Sequence, residues 1–303
     1  SPPTLFTQSF RRADVQLIVN IIVLASIYAL IACGYVLIYR VSRVLNLAHG
    51  ELMMLGAYFV LATASLFTDR PALALGMAVV LSLLTGGLVY VFLMRKMTGE
   101  MVLAAILTTV ALGILIKGVV VLIWSAQQQY PAQALGVPNP SLAIAGAHIS
   151  LWSAVLVGVT AATYAGLFIF LRFGRWGMRM RAAGQNPLLA AQRGINLHGV
   201  YALAWGLSTL TGASAGILMA LDSGLTNTMP VIGLKAFPAA LVGGLDSLVG
   251  TILGALIIAA AEVLLIYYVN PLLSDVVPFV VLIAMLIVRP WGLFGTREEL
   301  DRV

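Results

Sequence analysis

The chain has 303 residues, of which 61% are hydrophobic and only 9% are charged, and its mean hydropathy is +1.03. A soluble domain has roughly 45–50% apolar and about 25% charged residues, so this composition excludes an ordinary soluble protein and predicts an integral membrane protein. The net charge of +6 lies mainly in short loops between apolar segments, which favours membrane orientation over nucleic-acid binding. The single cysteine, Cys33, excludes an intrachain disulfide, and the three histidines lack metal-site spacing.

Long uncharged runs predict membrane-spanning helices, because a helix needs roughly 20 apolar residues to cross the hydrocarbon. The runs are continuously apolar rather than alternating, which argues against a β-barrel. We therefore predict an all-α fold: a polytopic transmembrane helical bundle of about eight spans, including broken or re-entrant helices, in a single domain over residues 1–303. The predicted spans are 17–39, 45–68, 72–94, 101–124, 151–171, 200–221, 248–269 and 275–289.

Two regions interrupt this pattern. Residues 125–150 are uncharged but contain three prolines, which predicts a loop. Between residues 228 and 250, prolines, glycines and Asp246 predict a half-helix near 236–245, followed by a break and then the seventh span. Broken helices are tolerated at membrane depth only where protein covers them or where they line a wet cavity, so this segment is expected to do one or the other.

The orientation of the spans follows from the basic loop 172–199, which holds five arginines and no acidic residue. The positive-inside rule predicts that this loop is cytoplasmic, and alternation of the spans assigns the other loops. Segments predicted inside are 40–44, 95–100, 172–199 and the C-terminal tail with Arg289, Arg297 and Arg302. Segments predicted outside are 69–71, 125–150 and the N-terminus, where Arg11 and Arg12 are a mild exception.

A short helix is predicted inside the basic loop. Asn186 is suited to the N-cap, Pro187 to the first helical position and Gly194 to the helix stop. The segment can be interpreted as a positive-inside loop that contains a local helix, or as a docking element for another protein. The loop is 28 residues long, far more than joining two spans requires, which favours docking.

A charged residue inside an apolar segment requires an explanation, because its insertion into the membrane costs about 2.5–3.5 kcal/mol at a helix centre. Glu51 either pairs with Arg40 and Arg43 or acts with Asn46 and His49 on a translocation path. Glu262 either forms an inward-facing ion pair or interhelical hydrogen bond, or lines the path. Asp246 is predicted to cap the helix that follows the break, and Lys117 is expected to extend toward the membrane surface.

The sequence contains no constellation that predicts catalysis. Residues 212–216 read GASAG and match the G-x-S-x-G elbow of hydrolases, but they lie in an apolar helix, where close helix packing is the better interpretation. The same small-residue spacing recurs at 250–254. None of the three lysines follows a glycine, so the chain has no phosphate-binding loop of the GxxxxGK type. Any ATP-driven movement would therefore depend on another chain.

Three segments carry a resemblance to a known family: RVLNLAHGELMMLGAY at 43–58, AAGQNPLLAAQRGI at 182–195 and GLKAFPAALVGGLDSLVGTILGA at 233–255. Over roughly residues 30–290 the chain resembles permease subunits of branched-chain amino acid ABC importers, of the LivH type. The resemblance implies a half-transporter of the bacterial inner (plasma) membrane that crosses it several times. Its implied partners are a second, LivM-like permease, two cytosolic ATPases, a periplasmic solute-binding protein and membrane lipid, and no nucleic acid.

The resemblance also implies roles for individual residues. ATP and Mg²⁺ would be held by the ATPase subunits, no cofactor or metal by this chain, and no residue would be catalytic. Residues expected to couple to the ATPase are Arg181, Asn186, Pro187, Leu188, Ala190, Arg193, Gly194 and Ile195. Residues expected on the translocation pathway are Asn46, His49, Glu51, Phe237, Asp246 and Glu262.

Several alternatives stay open at this point. The family includes importers of urea, amides and aromatic acids, so the resemblance leaves the solute undetermined, as it does whether the two permease subunits are identical. A stand-alone channel or secondary transporter is a different class of protein, and it predicts that the purified chain alone conducts solute. The basic loop and the scarcity of titratable groups disfavour that class.

Overall fold

The structure is a computed structural model that describes residues 5–67, 69–144 and 146–296. Arg297 and Arg302, which the orientation prediction used, lie outside these residues. The helices are α1 (Leu5–Ser42), α2 (His49–Leu66), α3 (Pro71–Phe92), α4 (Val102–Trp124), α5 (Pro131–Ala134), α6 (Leu151–Phe173), α7 (Arg175–Gln185), α8 (Pro187–Gln192), α9 (Leu197–Ser223), α10 (Pro230–Gly243), α11 (Leu248–Tyr268) and α12 (Val277–Val288). Short 3-10 turns lie at Met94–Met97 and Pro271–Leu273.

This architecture confirms the all-α prediction, and each predicted span corresponds to one helix. Six helices of the described chain are long and apolar enough to cross a membrane: α1, α3, α4, α6, α9 and α11. The other two predicted spans are shorter helices, α2 with 18 residues and α12 with 12. The half-helix α10 begins at Pro230, earlier than predicted, and contains Pro238.

The centre of the bundle is formed by α1 and α9. In their most apolar windows 72% and 67% of residues are buried, compared with 22% in α4 and 17% in α6. The apolar, exposed faces of α4 and α6 are therefore suited to contact lipid. Small residues bring the central helices together: Gly216 of α9 lies against Met53 of α2, and Gly250 and Gly254 of α11 lie against α10 at Gly243. These contacts confirm the packing interpretation of both glycine pairs.

The 125–150 region contains more structure than the predicted loop. Strands β1 (Ser141–Ile144) and β2 (Ala147–Ser150) form an antiparallel hairpin, with Ser141 opposite Ser150. Each strand has only four residues, too few to give a recognisable alternating pattern. The hairpin leads directly into α6, whose N-cap is Ser150.

The basic segments of the chain meet at one end of the bundle. Arg43 forms a salt bridge with Asp246, the carbonyl of Arg40 packs against Gly184 of α7, and Leu293 donates a backbone hydrogen bond to Val242. The C-termini of α1 and α6, the helices α7 and α8, and the N-terminus of α11 therefore share this end, which we call the basic end. The positive-inside rule predicts that it faces the cytoplasm.

Candidate functional site

Helix α2 begins inside the bundle rather than at its surface. After α1 ends, the chain turns back at Arg43, whose φ is +56°, and the side chain of Asn46 accepts a hydrogen bond from the amide of Ala48 at 3.1 Å. The Nε2 atom of His49 lies 3.1 Å from the carbonyl oxygen of Ile31. Ile31 precedes the end of α1 by 11 residues, or about 16 Å along the helix. Helix α2 thus starts near the middle of a hydrocarbon layer about 30 Å thick.

The imidazole of His49 is fully buried between two glycines. A Cβ at Gly212 of α9 would lie 2.9 Å from the ring, and Gly34 of α1 approaches its other side. The ring of Tyr35 lies 4.6 Å away, and the hydroxyl of Ser208 lies 3.5 Å from Nδ1. These contacts fix the start of α2 between α1 and α9.

Asn46, which was also expected on the pathway, is buried beside this histidine. Its Nδ2 atom has no hydrogen-bond partner in the part of the chain that the structure describes. The structure therefore places Asn46 and His49 behind the start of α2, and does not bring either of them to the surface on which Glu51 lies.

The first turns of α2 and α10 meet. A Cβ on Gly50 would lie only 2.7 Å from the carbonyl oxygen of Pro230, so the glycine permits this approach. Helix α10 has 14 residues, about 21 Å, and runs from this contact to the basic end. Helix α2 runs in the opposite direction. Two helix N-termini, each the positive end of a helix dipole, therefore lie together at mid-depth.

The carboxylate of Glu51 lies in the first turn of α2, beside these N-termini. The side chain is half-buried and faces α4, where a Cβ on Gly113 would lie 3.1 Å from its carboxyl carbon. Among the described residues it forms no salt bridge, so the interpretation that paired it with Arg40 and Arg43 is wrong. Lys117, one turn further along α4, is exposed.

One face of α10 is apolar and open. Val231 and Leu234 are exposed, and Phe237 is half-buried with its ring 5.2 Å from that of Tyr35. The spacing of three residues puts these side chains on the same face of the helix. Phe237 is therefore on a surface that begins at the two N-termini, close to Glu51.

Glu262 forms the inward-facing ion pair that one interpretation predicted. Its carboxylate pairs with the ammonium of Lys235 on α10 and accepts a hydrogen bond from the hydroxyl of Tyr28 at 2.6 Å. Lys235 also contacts Asp275 at 3.2 Å. This network ties α10 to α1, α11 and the start of α12. Sequence reasoning missed Lys235 as the partner of Glu262. One basic residue in one apolar segment and one acidic residue in another can predict an ion pair between the two helices.

Asp246 lies at the break between α10 and α11, but it does not cap α11. The N-cap is the next residue, Ser247, whose hydroxyl accepts from the amide of Gly250 at 3.0 Å. Asp246 instead pairs with Arg43 at 3.0 Å and accepts a hydrogen bond from Thr296 at 2.9 Å. The carboxylate is engaged by distant partners, which the local sequence does not reveal.

The short helix of the basic loop has the predicted ends. Asn186 caps α8 by accepting from the amide of Leu189 at 3.0 Å, Pro187 occupies the first turn, and Gly194 follows with a φ of +79°. Ala190 and Ile195 face the bundle, joined by a hydrogen bond from the amide of Ile195 to the carbonyl of Ala190 at 3.1 Å.

The opposite face of α8 is open to solvent. Leu188 is 68% exposed and Leu189 is 56% exposed, and Arg193 is exposed beside them. Arg181 differs from these residues, because its guanidinium donates to the carbonyl of Leu171 at the end of α6. The exposed surface of α8 therefore combines two leucines with a positive charge.

A second helix in the basic loop, α7, was missed by the sequence interpretation. Its cation–π contact joins Arg179 to Trp176 at 4.9 Å, while Met180 and Ala183 are buried against the bundle. Arginines of this segment had been assigned to membrane orientation, although Gly177, Met180 and Ala183 recur every three residues and form the buried face of an amphipathic helix.

The comparisons with known proteins agree with this architecture. The family model described as "Branched-chain amino acid transport system / permease component" matches residues 17–286. The chain is 32% identical to the LivH permease of the high-affinity branched-chain amino acid transport system of Salmonella typhimurium, over 95% of this chain and 97% of that protein. The permease BraD of Pseudomonas aeruginosa is 29% identical, over the same shares. The chain belongs to the family of permease components of branched-chain amino acid transport systems.

Proposed function

We propose that this chain is the membrane-spanning subunit of an ATP-driven importer for branched-chain amino acids or chemically related zwitterions. It would work in a bacterial inner membrane with a LivM-like second permease, two ATPase subunits that hold ATP and Mg²⁺, and a periplasmic binding protein that delivers the solute. Relatives of the chain are transport permeases, and we propose that it performs no covalent chemistry itself.

The observation that carries this proposal is the exposed surface of α8. Leu188 and Leu189 are exposed on a capped helix in the connection between α6 and α9, which the positive-inside rule assigns to the cytoplasm. Exposed apolar residues at such a position indicate a protein interface. A helix that presents successive apolar side chains can be held in a groove of a partner, and we infer that the partner is the ATPase.

The solute pathway is proposed to pass the meeting point of α2 and α10. The carboxylate of Glu51 suits an ammonium group, and the N-termini of the two half-helices suit a carboxylate. An amino acid carries both charges on one carbon. The apolar face of α10, with Val231, Leu234 and Phe237, would contact the aliphatic side chain. In this arrangement Asn46 and His49 hold the start of α2, and Glu262 fixes α10 through Lys235.

Coupling through α8 is tested by replacing Leu188 with glutamate in the assembled importer. A charge in an apolar interface should lower ATP-dependent uptake of leucine at least tenfold and reduce copurification of the ATPase. The matched control is Leu66→Glu, at an exposed leucine on the opposite end of the bundle. Uptake and copurification that stay normal in Leu188→Glu would overturn the role of α8.

The solute class is tested separately, by competition of leucine uptake with unlabelled compounds. We expect valine and isoleucine to compete and urea, ribose and benzoate to have no effect. Competition by urea or by an aromatic acid alone would assign the chain to another solute within the same family. Uptake by the purified chain without ATPase subunits would instead indicate a channel or secondary transporter.

A further inference from the structure

A basic cleft opens between α1, α6 and α11 at the basic end of the bundle. Its volume is about 270 Å³. Three arginines from three different elements line it: Arg40 near the end of α1, Arg172 at the end of α6, and Arg181 on α7. None of them forms a salt bridge with a carboxylate in residues 5–67, 69–144 and 146–296. The three arginines therefore line one space, and none of them is paired directly with a carboxylate of the described chain.

One carboxylate, that of Asp246, also lines the cleft. Its carboxylate pairs with Arg43 at 3.0 Å and accepts from Thr296 at 2.9 Å, and it also attracts Arg40. The cleft therefore has three arginines against one carboxylate, which is shared with Arg43. The N-cap of α11, Ser247, and its first residue, Leu248, complete the same wall. Helix α11 has 21 residues, and its N-terminus adds the positive end of a helix dipole. The cleft is thus complementary to an anion.

The cleft continues into an apolar groove along the same three helices. Phe168 and Val249 belong to the cleft, while Tyr164 and Ile252, one turn further along α6 and α11, line a groove of about 320 Å³. From Leu171 to Val157 the lining of α6 spans 14 residues, or about 21 Å. Half of a hydrocarbon core is about 15 Å thick, so the groove covers the depth of one leaflet.

We propose that this cleft binds an anionic phospholipid, with its phosphate among Arg40, Arg172 and Arg181 and one acyl chain along the groove between α6 and α11. Arginine binds phosphate through a planar fork of N–H donors. A soluble phosphate would use the arginines but leave the groove empty, whereas a lipid uses both. Basic pockets between membrane helices on the cytoplasmic side are suited to anionic headgroups.

Because the cleft lies beside α7, a bound lipid would affect the position of α7 and α8 in the proposed transport cycle. Arg181 belongs to α7 and is anchored to the carbonyl of Leu171 at the end of α6. A phosphate shared by Arg181, Arg172 and Arg40 would fasten α7 to the ends of both α6 and α1. Since α7 leads directly into α8, the lipid would hold the exposed helix at a fixed position on the bundle. Lipid binding itself does not depend on which solute is carried.

The test is titration of the purified chain in detergent with phosphatidylglycerol or phosphatidylcholine, with bound lipid counted by native mass spectrometry. We expect one phosphatidylglycerol molecule to stay bound to each chain at lipid concentrations at which phosphatidylcholine dissociates. In Arg40→Gln/Arg172→Gln the affinity for phosphatidylglycerol should fall about 30-fold, because each basic group near an anionic lipid contributes roughly a factor of five. Arg40→Lys/Arg172→Lys keeps both charges, so its affinity for phosphatidylglycerol should fall by less than about fivefold.

The matched control is Arg95→Gln/Lys96→Gln, which removes two exposed charges outside the cleft. Its affinity for phosphatidylglycerol should stay within about twofold of the unmodified chain. An equal loss in both double variants would overturn the site, because the effect would then be one of net charge. Glycerol phosphate that displaces the lipid at equal concentration would overturn the lipid assignment, and equal retention of both lipids would overturn the headgroup contact. Thermal unfolding, followed through the buried thiol of Cys33, checks that each variant is folded.

Discussion

Replacing Lys235 with methionine should destabilise the bundle more than any other single change of charge in the described chain. The side chains of Lys235 and Glu262 are only 10% and 4% exposed, so water screens their ion pair little. The variant leaves the carboxylate of Glu262 buried with the hydroxyl of Tyr28 as its remaining partner. Removing one member of a buried pair costs about 3–5 kcal/mol, and we expect a loss of this size in the free energy of unfolding.

Replacing the other member of the pair, Glu262, should lower the free energy of unfolding less. In Glu262→Gln, the ammonium of Lys235 keeps its contact with Asp275, whose side chain is 74% exposed, and Tyr28 can donate to the new amide oxygen. The loss is then that of one hydrogen bond to a charged group, about 1.5–3 kcal/mol. The double variant Lys235→Met/Glu262→Gln buries no unpaired charge. It should therefore be more stable than Lys235→Met alone, which gives a favourable coupling energy in a double-mutant cycle.

The chain provides its own reporter for this measurement. Cys33 is the only cysteine and is fully buried in α1, so a thiol-reactive dye labels it when the bundle opens. Labelling is followed as denaturant is raised. The control is Lys117→Met at an exposed position on α4, which should change the free energy of unfolding by less than about 0.5 kcal/mol. A Lys235→Met variant as stable as the unmodified chain, or a double variant whose loss equals the sum of the two single losses, would refute the reasoning.

Three further replacements probe the start of α2, its carboxylate and the exposed helix. Gly212→Val should push a methyl group into the imidazole of His49 and cost about 1–3 kcal/mol in dye-labelling experiments, whereas Gly118→Val, which has open space, should be neutral. Glu51→Gln should raise the KM for leucine at least tenfold while ATP hydrolysis by the assembled importer continues, and an unchanged KM would contradict the ammonium contact. Asn186→Ala should destabilise α8 by about 1 kcal/mol and lower the leucine imported per ATP, and an unchanged ratio would show that the cap is dispensable.

The features that the sequence predicts well are those determined by neighbouring residues. The ends of α8 follow from Asn186, Pro187 and Gly194, because an N-cap, a first-turn proline and a left-handed stop all act within one turn. Long apolar runs likewise predict the spans, since the thickness of the bilayer sets their length. The ends of α8 and six of the eight predicted spans were accurate, because no distant contact competes there with the local preference; α2 and α12 are shorter helices.

The features that the sequence does not predict depend on contacts between distant residues. Asp246 and Ser247 are adjacent and both can cap a helix, but Arg43, which lies 203 residues away, engages the carboxylate and leaves the cap to the serine. The pairing of Lys235 with Glu262 joins two helices whose relative rotation no local pattern reveals. The half-helix predicted near 236–245 begins six residues earlier, at Pro230, because Gly233 and Pro238 do not interrupt a helix packed against its neighbours.

If the proposed coupling through α8 displaces this helix, the contacts of α7 and α1 give the displacement a direct route to the break between α10 and α11. Helix α7 has no room for a Cβ at Gly184, which packs on the carbonyl of Arg40, so a displacement of α8 and α7 must also move the end of α1. Three residues later, Arg43 holds Asp246 at the break between α10 and α11. Through these two contacts in series, α1 would transmit to α10 a displacement that the proposed ATPase partner would impose on α8. Arg43→Gln would interrupt this series without altering α8, so ATPase subunits should still bind while uptake falls; loss of ATPase binding would place Arg43 in the docking surface instead.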